Sequence, residues 1–241
     1  MLPSTLDCSV FSPEAEPRVF YNSPSRRRAY AALLSALKEG RRVVALTGPA
    51  GCGKRTLLRR CGAAMGQVNM ATLDARHLTL KGALSALSRE LTDTHQDRKY
   101  NNIQQIQKQL SERHQRGERW VVALDNADAT QPNLIKHLIQ INNLPSGDLA
   151  LFTLVLLAEA PSPHWPFPLC GETPVTASLE PFHPADVNAF IQLQLQAGGH
   201  LENQLFSPQA IERIAHYSQG VPAAVNALCE LAWTTACQGV G

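Results

Sequence analysis

The sequence predicts an α/β fold: a parallel sheet covered by helices, followed by a small all-helical subdomain. Three observations predict it. Short apolar runs alternate with helical stretches of about ten to fifteen residues, the pattern of a parallel sheet covered on both faces. One of those runs, Val43 to Leu46, leads into the glycine-rich stretch Gly48-Pro49-Ala50-Gly51-Cys52-Gly53-Lys54 and then into a helix. After about residue 182 the strands stop, and three helical segments follow, each with a proline at its start.

Residues 1–24 form a lead with Pro3, Pro13, Pro17 and Pro24, expected to wrap the surface. Ser25 to Leu37 reads as a helix capped by Ser25, with Tyr30, Leu33, Leu34 and Leu37 on one face. Its first turn holds Arg26, Arg27 and Arg28, where the helix dipole disfavours cations, so the cluster is expected to face solvent or else an anion. Val43 to Leu46 is a buried strand, Lys54 to about Ala64 a helix, Gln67 to Leu73 a strand and Leu80 to Leu91 an amphipathic helix. Asn101 to Arg113 is polar, yet Ile103, Ile106 and Leu110 make one stripe. Trp120 to Leu124 and Leu151 to Leu157 are strands around a helix from Pro132 to Ile141, and Pro174 to Ala177 adds a fifth strand. Pro184 to Gln196, Pro208 to Ser218 and Pro222 to Ala236 are the final helices. The expected division is a lead at 1–24, an α/β core at 25–180 and a helical lid at 181–241.

Strand, glycine loop, lysine and helix in register make a phosphate-binding loop. Its glycines permit backbone angles at which successive N–H groups point inward at a phosphate. Lys54 adds a positive charge for the outer phosphates, and the helix presents its positive end. The residue after the lysine normally supplies a hydroxyl to Mg²⁺. Here Arg55 stands there and Thr56 comes one later, which weakens Mg²⁺ binding without excluding nucleotide. The cofactor expected is ATP or ADP, held by Gly48 to Thr56, with Mg²⁺ as a possible companion on Asp125 and, weakly, Thr56.

Bulk properties narrow the class. The longest apolar run, Leu149 to Ala158, is about half of what a spanning helix needs, and the first residues do not resemble a secretory signal. A cytoplasmic location is the expectation. Six cysteines form no C-x-x-C pair and eight histidines no ligand-spaced pair, so free thiols are expected and no metal site of protein ligands alone. The net charge of +2 hides a polarity: residues 1–120 hold 20 Lys and Arg against 10 Asp and Glu, and residues 121–241 hold 2 against 10.

Phe20-Tyr21-Asn22-Ser23-Pro24-Ser25-Arg26 before the loop, Leu205 to Ile211, and the run Ser218-Gln219-Gly220-Val221-Pro222-Ala223-Ala224-Val225-Asn226 resemble the AAA ATPases of the ExeA/GspA general-secretion type, themselves related to transposition ATPases of the TniB/TnsC class. The likeness runs from about Phe20 to Ala236. It implies an AAA-type P-loop NTPase core with a helical lid.

The resemblance also implies what has changed. The family's second motif is a strand ending D-E-A-Q; here Trp120 to Leu124 is followed by Asp125, Asn126, Ala127 and Asp128. Asp125 keeps the carboxylate of the Mg²⁺ shell. Asn126 replaces the glutamate that polarises the attacking water, and an amide cannot accept that proton. Asp128 is a substitute only if it points the right way. Glu159 stands where the family has a polar sensor, Ala223 where the lid arginine belongs, and Pro161 to Leu179, the stretch that supplies a finger arginine, has no Lys or Arg. Lys136 and Arg213, the cations of the second half, match neither position, and a finger arginine is worth roughly 10³–10⁵ in rate.

Three readings follow. The first is a nucleotide-binding module with weak or absent hydrolysis that docks protein partners, as in secretion or envelope assembly. The second is an active ATPase completed by a partner subunit; the partners expected are proteins, including self-association or a related AAA subunit. The third is a DNA-binding regulator of the transposition type, using the basic first half on phosphates. Opposite charge on the two halves suits head-to-tail association as well as an intramolecular contact.

Overall fold

Strand β1, Val43–Thr47, is buried at every position, because a central parallel strand is covered on both faces and has no solvent side. The same holds for β4, Thr153–Ala158, and for β3, Arg119–Asp125, past its exposed first residue. The edge strands β2, Val68–Asp74, and β5, Val175–Ser178, alternate instead. The pairings between these strands are parallel, and the order is β2-β3-β4-β1-β5. The computed structural model describes residues 8–11, 20–91, 103–143, 150–160, 174–199 and 205–238. Asn101, the prolines at 3, 13 and 17, and the stretch from Pro161 to residue 173 fall outside them.

The helices are α1 (Pro24–Lys38), α2 (Lys54–Met65), α3 (Leu80–Leu91), α4 (Ile103–Gln115), α5 (Pro132–Asn142), α6 (Pro184–Ala197), α7 (Pro208–Ser218) and α8 (Pro222–Gln238). Each overlaps a segment expected from the sequence to be helical or to carry an apolar stripe. The cap of α1 differs: Ser23, not Ser25, accepts from the Arg26 and Arg27 N–H groups through its Oγ and its carbonyl, at 3.4 and 2.9 Å. Pro24 takes the first helical position, where its missing N–H costs nothing. Ser25 Oγ accepts from the Glu180 N–H instead, at 3.2 Å.

Two compact units emerge: residues 28–48 with 57–178, and residues 1–27 with 49–56 and 179–241. The first holds the sheet and one continuous core, in which Leu87 and Leu91 of α3, Ile106 and Leu110 of α4 and Ile135 and Leu138 of α5 meet Val122 and Leu124 of β3 and Leu154 and Leu156 of β4. The second holds the lid helices and the phosphate loop. Its core joins Phe182, Phe190, Ile191, Phe206 and Trp233 to Val10 and Phe11. The lead is therefore not all surface wrapping: Cys8–Phe11 forms a 3₁₀ turn that buries two apolar side chains, as hydrophobic burial favours.

One position in this second unit is restricted to glycine. Helix α7 ends on Gln219 and Gly220, both left-handed at φ 51° and 74°. Gly220 accepts from the Phe182 N–H at 2.8 Å, and a Cβ there would run into the Phe182 backbone. That close approach, together with the positive φ, requires glycine.

Candidate functional site

The phosphate loop is built by chain reversal after β1. Gly48 is buried, and its N–H donates to the carbonyls of Ala158 and Glu159 at 3.1 and 3.2 Å, fixing the start of the loop to the end of β4. Gly51 and Gly53 take φ of 77° and 88°, angles that L side chains rarely adopt. At Gly51 space also demands glycine, since a Cβ would lie 2.8 Å from the Ala223 Cβ.

Protein donors occupy three of the loop carbonyls. Pro49 O accepts from Lys54 Nζ at 3.1 Å and from the Cys52 N–H at 3.2 Å. Gly51 O accepts from the Ala223 N–H at 3.2 Å, at the start of α8. Cys52 O accepts from Arg26 Nη2 at 2.8 Å. A loop whose carbonyls are tied in this way keeps its dipoles oriented, the preorganisation that anion binding by backbone N–H groups needs. The Cys52 thiol is buried, and burial pushes its pKa up, so it stays protonated and inert. Pro49, Ala50 and Arg55 are exposed. Lys54 opens α2, and Thr56 stands two residues on, about 200° round the helix.

The position sequence reasoning missed is Arg26. A cation in a first helical turn is expected to face solvent, yet Arg26 is only 5% exposed. Its guanidinium lies over the rings of Phe182 and Phe20, 4.4 and 5.4 Å from their centroids, contacts that offset part of its lost hydration. Burial lowers its pKa to about 10, which leaves it charged at neutral pH. Arg27 and Arg28 are exposed, as that reasoning expects.

In the other unit, the carboxyl ends of β2 and β3 bring four polar side chains together. Asp74 and Asp125 are register partners. Asp125 is buried, at 6% exposure, and its backbone carbonyl accepts from the Ala75 N–H at 2.8 Å. Asn126 follows it in a left-handed conformation, φ 54° and ψ 42°, a region in which Asn is enriched. Its Nδ2 donates to Asp74 Oδ1 at 3.0 Å. Asp74 also accepts from Arg76 through Nε, Nη2 and the backbone N–H, the shortest contact being 2.7 Å. The Arg76 side chain, then its backbone N–H, then the Asn126 amide hold the Asp74 carboxyl well below the usual carboxylate range. Nothing in the linear sequence announces this cluster, because it needs the β2–β3 register.

Asp128 Oδ1 accepts from the Glu159 N–H at 3.3 Å. It is thus turned to the end of β4. Glu159 itself is exposed there. Among the described residues no three His, Cys, Asp or Glu side chains gather as a metal centre. Asp125, a hard oxygen donor, suits Mg²⁺, whereas Arg55 after the lysine offers no ligand.

Residues 37–161, just over half of the chain, match the AAA domain family. Over 230 residues, 92% of the chain, it is 26% identical to general secretion pathway protein A of Aeromonas hydrophila, and it spans 42% of that protein's length. Among solved structures, the ORC1 protein of Aeropyrum pernix in complex with DNA superposes with a TM-score of 0.71 at 19% identity, covering 96% of this chain and 64% of that one. The ORC2 protein of the same organism, in an ADP form, gives 0.66 at 16% identity, covering 96% and 67%. At those identities the likeness is one of fold.

Proposed function

Because the chain belongs to the AAA domain family, we propose that it binds ATP or ADP, hydrolyses it weakly or not at all, and docks protein partners according to the nucleotide it holds. Gly48 to Thr56 form the phosphate cradle, Lys54 carries its charge, and Asp125 is the residue that would hold Mg²⁺. The bound nucleotide supplies a polyphosphate anion and, in ATP, a transferable phosphoryl group.

One observation carries the reading. The position that polarises water in the family is Asn126, and its amide donates to Asp74. An amide committed as a donor to a carboxylate cannot take a proton from water. The Asp128 carboxylate is engaged elsewhere, accepting from the Glu159 N–H just past β4, which supports the same reading. The groups that grip phosphate are kept while those that cleave it are changed, a pattern suited to a bound state that is held.

The likeness to a general secretion pathway protein supports partners of the secretion or envelope-assembly kind, on the cytoplasmic side. No helix among the described residues is long and apolar enough to cross a membrane. The expected sequence division into lead (1–24), core (25–180) and lid (181–241) serves the same reading, with the lid as the part that responds to nucleotide.

The test is self-association and partner association measured with no nucleotide, ADP, ATP and a non-hydrolysable ATP analogue. The reading expects the analogue to act as ATP does. Equal association in all four states contradicts it, and an analogue that fails where ATP succeeds favours an ATPase completed by a partner subunit. A DNA-binding regulator is the reading supported by the basic first half and by the likeness to a protein solved with DNA. Salt-dependent DNA retention decides it.

A further inference from the structure

Arg26 is a cation kept out of water without a counter-ion. Its surroundings are one carbonyl, two aromatic faces and the Gly53 backbone, where a Cβ would lie 3.6 Å from Nη2. Among the described residues no carboxylate pairs with it, and its Nε is buried with no hydrogen-bond partner. Such an arrangement burdens a fold: an uncompensated buried charge is costly, and exchange for an apolar side chain of similar volume is often neutral or stabilising. Packing alone therefore does not account for the residue.

Its location does. The guanidinium holds Cys52 O, in the middle of the phosphate loop, and stacks on Phe182, whose N–H is bonded to Gly220 beneath the lid helices. We infer that Arg26 is a positioning residue for the nucleotide: it holds the phosphate loop by a carbonyl and supplies, from behind, the buried positive charge whose counter-ion is the bound polyphosphate. This rests on the loop binding nucleotide. It gives the loop a second cation besides Lys54 in a chain with Ala223 at the lid-arginine position. A buried charge is screened much less by salt than an exposed one. Lysine is a poor substitute, because a compact ammonium cannot lie flat between two rings while reaching the carbonyl.

The experiment compares the parent, Arg26→Met and Arg26→Lys by thermal unfolding without ligand and by calorimetry with ADP. Arg26→Met should leave the ligand-free midpoint unchanged or raised, yet weaken ADP at least tenfold. Arg26→Lys should recover part of that affinity. ADP affinity of Arg26→Met within twofold of the parent overturns the inference, as does a lowered midpoint with unchanged affinity. Should Arg26→Met fail to fold, Arg26→Lys decides alone: affinity lowered threefold or more supports the inference, and parental affinity overturns it. A parent that binds no ADP overturns the nucleotide reading itself, an outcome distinct from a binding parent with an indifferent Arg26.

Discussion

The Asn126 side-chain amide donates to Asp74 Oδ1 at 3.0 Å, tying the end of β3 to the end of β2. This bond bears on the proposal that hydrolysis is weak. Asn126→Glu returns the family's residue type but places a second carboxylate against Asp74, in a left-handed turn that disfavours glutamate by about 1–2 kcal/mol. We expect no gain in single-turnover hydrolysis and a lower unfolding midpoint. A gain of tenfold or more would mean that the turn rearranges to present the new carboxylate to water.

Asp74 gives a pH signature. Its folded pKa is depressed below the unfolded value of about 3.9. The stability it contributes is therefore fully present above the unfolded pKa and is lost as pH falls through the folded one. The unfolding-midpoint gap between the parent and Asp74→Asn should be constant from pH 7 to about pH 5 and close only well below pH 4. Because the carboxylate is solvent-exposed, the gap should also shrink with salt. A gap that widens on acidification contradicts this assignment.

Gly220→Ala should be severe, since Gly220 is buried in the turn it closes. It combines a strained positive φ with a Cβ directed at the Phe182 backbone, and each effect costs about 1–3 kcal/mol. Denaturant unfolding should show a loss of at least about 2 kcal/mol. A loss under about 0.5 kcal/mol would mean that the Phe182–Gly220 junction yields freely.

Asp125 should act through metal. ATP affinity measured with Mg²⁺ and with a chelator should differ for the parent and differ less for Asp125→Asn. If metal tightens ATP equally in both proteins, Asp125 is outside the metal shell.

The sequence and the structure agree where the signal is local. The apolar stripes of α3 and α4 are legible because they are the faces that meet the sheet, and the starting prolines mark α6, α7 and α8. Glycine spacing marks the loop, since Gly51 and Gly53 need positive φ whatever surrounds them. What escapes is long-range. Arg26 meets Cys52 and Phe182 only once the chain has folded back on itself, and local helix-dipole reasoning points it outward. Asn126 meets Asp74 through strand register across 52 residues. Val10 and Phe11 find the lid core from the far end of the chain.

The central claim, that nucleotide is bound and held, is tested most directly by single-turnover ATP hydrolysis alongside binding, for the parent and Lys54→Ala. The account predicts that the parent binds ATP, that Lys54→Ala binds at least tenfold more weakly, about 1.4 kcal/mol, and that the parent's bound ATP stays intact at near-background rates. Turnover above about 0.1 s⁻¹ that disappears in Lys54→Ala contradicts it.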